Sequence, residues 1–326
     1  MMCSCPAMHE FIIYFSVFFD YNGGDILGVT VMKADTKKAI LCAALGNIIW
    51  GFSFLFIKLG LSSVPDSNIL LSHRFLLSAL IMLLYLITGK EKFSLKGKNW
   101  KPILLLMLAQ VGYYIFETQG IQHTTTTIAG LVLAVVPVVT IATGALFLKE
   151  YPTRRQALFC ILPVAGVIIM TVSGQELGAA TPLGILFLLI TLLMSTLYKT
   201  ANRKAASEFT PYERTLMVLS ASATFFTIMA LNAVDWDIKA YLAPLADIKY
   251  LICIFSLSSL CSISANLLVN YATAKMSVFK VASFGSLSTL CSTVIGVLFL
   301  HEPVNVSLLL GAVLILVGIR EVTKPK

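Results

Sequence analysis

From residue 39 onward the chain alternates between long, almost unbroken apolar blocks and short polar connectors. Bounded by charges, Gly and Pro, the blocks fall at 39–59, 69–88, 102–121, 125–148 and 157–173, then at 182–198, 215–234, 250–273, 281–300 and 304–319. A helix needs about 20 mostly apolar residues to cross a bilayer. Backbone polar groups in lipid must be satisfied within the segment, which a helix does. The pattern therefore predicts an all-α integral membrane protein with ten transmembrane helices. Pro137 and Pro163 fall inside blocks, where lipid-embedded helices tolerate them.

Composition agrees. Of 326 residues, 58% are hydrophobic and only 12% charged, about half the share of charge in a soluble domain, and the mean hydropathy is +0.88. Water is excluded as the main solvent. An earlier apolar run, residues 11–19, ends at Asp20 and has nine residues, too short to span and without signal-peptide flanks. Residues 1–31 are expected to lie outside the fold, with Met32 a natural start for a cytoplasmic N-terminus; a membrane-surface segment is the competing reading.

Charge placement orients the spans. With the N-terminus inside, 20 of the 24 Lys and Arg residues fall on the cytoplasmic side, three (Lys58, Lys239 and Lys249) fall outside, and Arg74 lies within a span. This bias puts both termini in the cytoplasm. It also accounts for the net charge of +8 without nucleic acid, since the basic side faces anionic lipid. The expected location is the cytoplasmic membrane of a bacterium. Cys42, Cys160, Cys253, Cys261 and Cys291 sit in apolar runs without CxxC spacing and read as small apolar packing residues.

The sequence also repeats. Residues 144–150 (GALFLKE) and 296–302 (GVLFLHE) share five of seven residues at an offset of 152, which also carries Gly166 onto Gly318. Because five spans separate the copies, they would end helices at opposite membrane faces: two inverted five-helix repeats. Such duplications place a substrate site near the midplane between rocking halves.

Three stretches then resemble a known family. They are His73-Arg74-Phe75-Leu76-Leu77-Ser78-Ala79-Leu80, the Gly120–Gly130 segment GIQHTTTTIAG, and Val136-Pro137-Val138 followed by Leu148-Lys149-Glu150. Together they resemble EamA-type members of the drug/metabolite transporter superfamily. The resemblance implies a first repeat over 32–174, a second over 175–326, a central cavity, and movement of small metabolites without ATP hydrolysis. One departure is Thr289, where the offset from Pro137 would place a second proline.

Polar residues within spans face the bundle interior or a wet cavity, and helical spacing says which share a face. Span 1 aligns Asn47, Trp50, Gly51, Phe54 and Lys58; span 3 aligns Gln110, Tyr113, Tyr114 and Glu117. Span 6 aligns Thr191, Ser195 and Tyr198, and span 8 aligns Ser259, Ser262, Asn266 and Asn270. These stripes are expected to line a substrate cavity, although interhelical packing is the alternative for each hydroxyl and amide. Glu117 is the only acidic side chain deep in a span, at a depth similar to that of Arg74. The two could neutralise each other, or Glu117 could bind a cation or exchange a proton. Lys280 is a candidate anion contact or a snorkelling residue, and Glu150 and Glu302 read as span-ending caps.

Other chemistry lacks its motifs. The histidines have no metal-ligand spacing, and there is no phosphate-binding loop and no GxSxG. The expectation is a secondary transporter with no cofactor and no metal, working by alternating access on a small-molecule substrate, such as an amino acid, with protons as a candidate coupling ion. A passive facilitator stays open. An intramembrane enzyme would need a clustered acid and base, and a receptor would bring a signalling domain. Oligomeric state is open.

Overall fold

The computed structural model describes residues 34–324 apart from 65, 90, 92, 125, 173–180 and 301–305. The expectations for residues 1–31 and for Glu302 fall outside the described residues. Within them the chain is helical, with no strand. Five helices are long and apolar enough to cross a membrane: 35–61, Ser67–Ile87, Pro182–Ala205, Pro211–Ala233 and 248–275.

In chain order the elements are α1 (Ala34–Leu61), α2 (Ser67–Ile87), α3 (Trp100–Gln122), α4 (Thr126–Ala134) and α5 (Val136–Leu148). They continue with α6 (Arg154–Phe159), α7 (Ile161–Val172), α8 (Pro182–Ala205), α9 (Pro211–Ala233) and the short α10 (Ile238–Leu242). Then come α11 (Ile248–Ser256), a π-helical segment Leu257–Ser264, α12 (Ala265–Lys275), α13 (Val278–Ser283), α14 (Gly285–Leu300) and α15 (Val306–Thr323).

Several starts have a local cause. The Asp66 carboxylate accepts the Asn68 N–H at 2.6 Å and caps α2, while Thr153 with Gln156 and Thr210 with Glu213 form capping boxes for α6 and α9. The interruptions have causes as well. A proline ring clashes with the carbonyl four residues back, which for Pro137 is that of Leu133 and for Pro163 that of Phe159. The helices break just there, between α4 and α5 and between α6 and α7. The expected unbroken spans 4 and 5 are therefore each two helices. Span 9 lacks the second proline yet also breaks, at Phe284 ahead of Gly285. Span 8 is continuous but winds into the π segment between α11 and α12.

The principal pairings are α3 with α8, α2 with α9, α7 with α15, and α1 with both α12 and α14. Small residues permit the close crossings. A Cβ placed on Gly166 of α7 would come within 2.8 Å of Ile315 on α15, and one on Gly318 of α15 within 2.7 Å of Pro163 on α7. Gly51 of α1 is pressed in the same way against Cys291 and the Ser288 carbonyl of α14. The cysteines expected in apolar packing are free thiols, buried except for the half-buried Cys291.

Candidate functional site

Tyr113 and Glu117 lie one turn apart on α3, and the Tyr113 hydroxyl donates to the Glu117 carboxylate at 2.6 Å. Tyr114 turns the other way. Its ring meets Tyr113 edge-on at 5.2 Å and joins Phe75 and Phe226 in a trio with centroids 5.4–5.9 Å apart. These rings tie α2, α3 and α9 together.

Arg74 approaches the same space from α2. It is 4% exposed, its Nε donates to the Ser262 hydroxyl at 2.7 Å, and its guanidinium lies 5.3 Å from the Phe75 ring. It lies within electrostatic reach of Glu117 and Tyr114, but Arg74 and Glu117 form no ion pair among the described residues. The expected mutual neutralisation is thus not made by direct contact. Glu117 is held by a phenol and Arg74 by a hydroxyl, so both keep unspent hydrogen-bonding capacity.

The π segment positions Ser262. Such windings misalign the carbonyl ladder, and here side chains fill the gaps: Trp50 Nε1 of α1 donates to the Cys261 carbonyl at 3.0 Å, and the Ser264 hydroxyl donates to the Ser259 carbonyl at 2.9 Å. The Ser258 hydroxyl donates to the Arg74 carbonyl at 2.8 Å. Below Ser262, the Asn266 amide donates to the Ser262 carbonyl at 2.6 Å and accepts from the Tyr198 hydroxyl of α8 at 3.3 Å.

Beside this cluster lies a cavity of about 460 Å³. Its wall includes Tyr114, Thr118 and Gln122 of α3, Phe226 and Met229 of α9, and Asn68 of α2. Tyr114 belongs to both cavity and cluster. The opposite end of the bundle is tied instead. Glu150, after α5, accepts from Arg203 Nε of α8 at 2.7 Å and from the Val278 N–H of α13 at 2.7 Å, and Arg203 also donates to the Thr273 and Ala274 carbonyls at 2.9 Å. Glu150 is thus more than the span-ending cap the sequence suggested: it holds three helices.

Comparison with known proteins fits this architecture. The EamA-like transporter family matches residues 37–172 and 182–323. The chain belongs to the EamA-like transporter family. The uncharacterized transporter YcxC of Bacillus subtilis is 30% identical to this EamA-like chain over 293 residues, covering 89% of it and 94% of YcxC. An uncharacterized transporter of Archaeoglobus fulgidus is 23% identical and covers 87% of the chain and 96% of its own length. A solved crystal structure aligns with a TM-score of 0.71 at 14% identity, covering 87% of this chain and 95% of the other, which speaks to fold. The EamA-like chain is an integral, multi-pass membrane transporter, and its family implies a small-molecule substrate.

The four predicted stripes divide within this EamA-like fold. Trp50, Tyr113, Tyr114, Glu117, Tyr198, Ser262 and Asn266 are linked by the bonds and ring contacts above. Gln110 and Ser195 are half-buried and make no hydrogen bond through their side chains among the described residues. Asn47 donates to the Ala43 carbonyl of its own helix at 2.7 Å. Thr191 likewise serves its own helix through the Phe187 carbonyl. Ser259 is half-buried and donates to the Phe255 carbonyl of its own helix, and Lys58 is exposed. Lys280 reaches the Thr323 and Lys324 carbonyls at 3.5 and 3.3 Å, at the end of α15. Asn270 belongs to a different network. It accepts from Asn202 at 2.7 Å and donates to Thr215 at 2.8 Å, and its carbonyl accepts from Arg214.

Arg214 is the main correction. Counted by sequence with the cytoplasmic connectors, it is fully buried in the first turn of α9. The signal was present: Thr210-Pro211-Tyr212-Glu213 is a capping box with Pro at the first helical position, which puts the helix start ahead of Arg214.

Proposed function

We propose that this chain is a secondary, non-enzymatic transporter that moves small organic metabolites by alternating access between two inverted five-helix repeats, residues 32–174 and 175–326. The observation that carries the reading is the Glu117–Tyr113 pair within reach of Arg74, sharing Tyr114 with a cavity near one end of the bundle while the other end is tied by Glu150 and Arg203. Opposite charges among aromatic walls suit a zwitterion such as an amino acid, with Glu117 taking the cationic group or a proton.

Reciprocal contacts support the inverted repeat. Gly166 packs on Ile315 and Gly318 on Pro163, and the 152-residue offset exchanges these two contacts. An interface related by a two-fold axis has that property: residue i meets j as j meets i. The helix pairings agree, because exchanging halves maps α3–α8 onto α12–α1, and α5–α8 onto α1–α14. With both termini cytoplasmic, the cavity faces outward and the Glu150–Arg203 tie closes the inner side.

Reconstitution in liposomes tests this reading, with labelled amino acids, amines, nucleosides and sugars offered with and without a pH gradient. Accumulation above equilibrium that follows the gradient, and is lost in a folded Glu117→Gln variant, is the expected result. Flux that stops at equilibrium makes the protein a passive facilitator. Accumulation unchanged by Glu117→Gln removes Glu117 from the mechanism.

A further inference from the structure

Two buried guanidinium groups in the bundle make no direct contact with a carboxylate among the described residues, although Glu117 lies within electrostatic reach of one of them, Arg74. Arg74 of α2 is 4% exposed and Arg214 of α9 is 0% exposed. Among the described residues, arginine pairs with a carboxylate only in Arg155–Glu321 and Arg203–Glu150. Arg74 spends only Nε, on Ser262, and its terminal nitrogens carry no protein hydrogen bond among the described residues. Arg214 spends its terminal nitrogens on the Asn202 carbonyl at 3.0 Å, the Asn202 side chain, and the Asn270 carbonyl at 2.7 Å. Its Nε is buried with no partner.

A buried charge without a counterion is costly. Within a membrane protein such residues mark substrate or ion pathways. Arg214 bonds only neutral oxygens, those of Asn202 and Asn270, and Arg203 at the tied end already holds Glu150. The two arginines also share a track. Arg74 bonds Ser262 and Arg214 bonds Asn270, and between them Asn266 bonds Tyr198. Ser262, Asn266 and Asn270 recur every four residues along one face of span 8. At 1.5 Å per residue, the end positions of this ladder are about 12 Å apart.

We infer that the transported molecule carries a carboxylate and that Arg74 and Arg214 are two stations for it, Arg74 nearer the cavity and Arg214 nearer the Glu150–Arg203 end. A guanidinium edge presents two parallel N–H groups that match the two oxygens of a carboxylate. Arg74 has its terminal nitrogens free for this in the present state. Arg214 offers Nε, and gains a full edge once Asn270 is released as the tied end opens. The polar ladder of span 8 gives the anion hydrogen-bonding groups between the two stations.

This inference rests on the transporter reading, and the experiment separates the two. The full chain is purified, and binding of benzoate, acetate and succinate is compared with that of the corresponding amides. Transport is then measured in vesicles of both orientations. The expected result is at least tenfold tighter binding of one carboxylate than of its amide. Arg74→Gln should raise KM about tenfold from the cavity side only, and Arg214→Gln should do so from the tied side only. Arg214→Lys, which keeps the charge but not the fork, should restore part of the loss. If Arg214→Gln yields no folded protein, a several-fold rise in tied-side KM for Arg214→Lys at unchanged thermal stability supports the inference, and unchanged KM overturns it. No preference for any carboxylate over its amide overturns it too, as does a KM shift equal from both sides. Flux of neutral amides without carboxylate preference would leave the transporter reading standing while this one falls. Carboxylate binding without flux of any labelled carboxylate overturns it as well, because the two arginines would then hold an anion that is not carried.

Discussion

The two ends of this bundle solve the same problem differently. Near one end, α1, α2, α3 and α9 leave a cavity of about 460 Å³ between them, and the links across the halves there are single hydrogen bonds, such as Ser72 with Tyr241 at 2.7 Å, His73 with Tyr250 at 2.9 Å, and the Ser63 hydroxyl on Asp247 at 2.9 Å. At the other end a carboxylate and a guanidinium bind α5, α8, the end of α12 and the start of α13 into one knot. A chain of two similar halves could have had equivalent ends. Under the alternating access proposed above, this asymmetry belongs to one state, and the end that is tied here is the end that would loosen for the other state to form.

The largest effect should follow from cutting that knot. Arg203→Met removes the donor for Glu150 and for the Thr273 and Ala274 carbonyls. Loss of hydrogen bonds to a charged group costs about 2 kcal/mol, or roughly thirtyfold in the open population. Cys160, buried beside Ser283 at this end, should then react with an impermeant maleimide about thirtyfold faster from that side, in a background lacking the other cysteines. An unchanged rate would mean that the knot is not what holds the end shut.

Filling the cavity should do less. Thr118→Trp places a large ring in the space that Thr118, Tyr114 and Phe226 surround. Overpacking of 1–3 kcal/mol in the open state corresponds to uptake slower by about tenfold. The unfolding midpoint should stay unchanged, because the side chain enters existing space; equal uptake would place the route elsewhere. Smaller again is Trp50→Phe, which keeps an aromatic side chain of smaller size and removes the N–H that satisfies the Cys261 carbonyl in the π segment. One such bond contributes about 1 kcal/mol, and thermal unfolding of the purified protein would show it.

The sequence foretold much of this, for identifiable reasons. Lipid forces long apolar runs, so the helices were legible, and the two proline-driven breaks could be placed from Pro137 and Pro163 once the clash four residues back is considered. Tyr113, Tyr114 and Glu117 were legible because polar groups one turn apart in a span share a face. The break at Phe284 and the π winding at Leu257–Ser264 were not, because neither carries a proline and both depend on neighbours far away in sequence, as when Trp50 takes up the Cys261 carbonyl. Arg214 was misplaced because positive charge near a span end reads as a topology signal. Only the capping box ahead of it distinguishes a buried arginine from a loop one.

The lightest link gives the finest test of the contrast between the ends. Asp247 caps α11 outside the spans and accepts from the Lys249 N–H at 2.9 Å and from the Ser63 hydroxyl at 2.9 Å. These donors, the Lys249 N–H foremost, hold its carboxyl below the usual value. A carboxyl with a depressed pKa stabilises the folded form fully above its unfolded pKa of about 4, and that contribution is lost as pH falls through the lower, folded value. Between pH 8 and 5 the link should therefore be constant. Below about pH 4 it should weaken, and Asp247→Asn, which has no carboxylate to protonate, should then match the unaltered protein. Labelling of a Ser62→Cys variant, taken as the ratio with and without Asp247→Asn, should be flat from pH 8 to 5 and approach unity in acid. The full change should be less than about twofold, since exposed links of this kind contribute little. A ratio that already drifts between pH 7 and 5 would show that some other titrating group, and not Asp247, governs the cavity end.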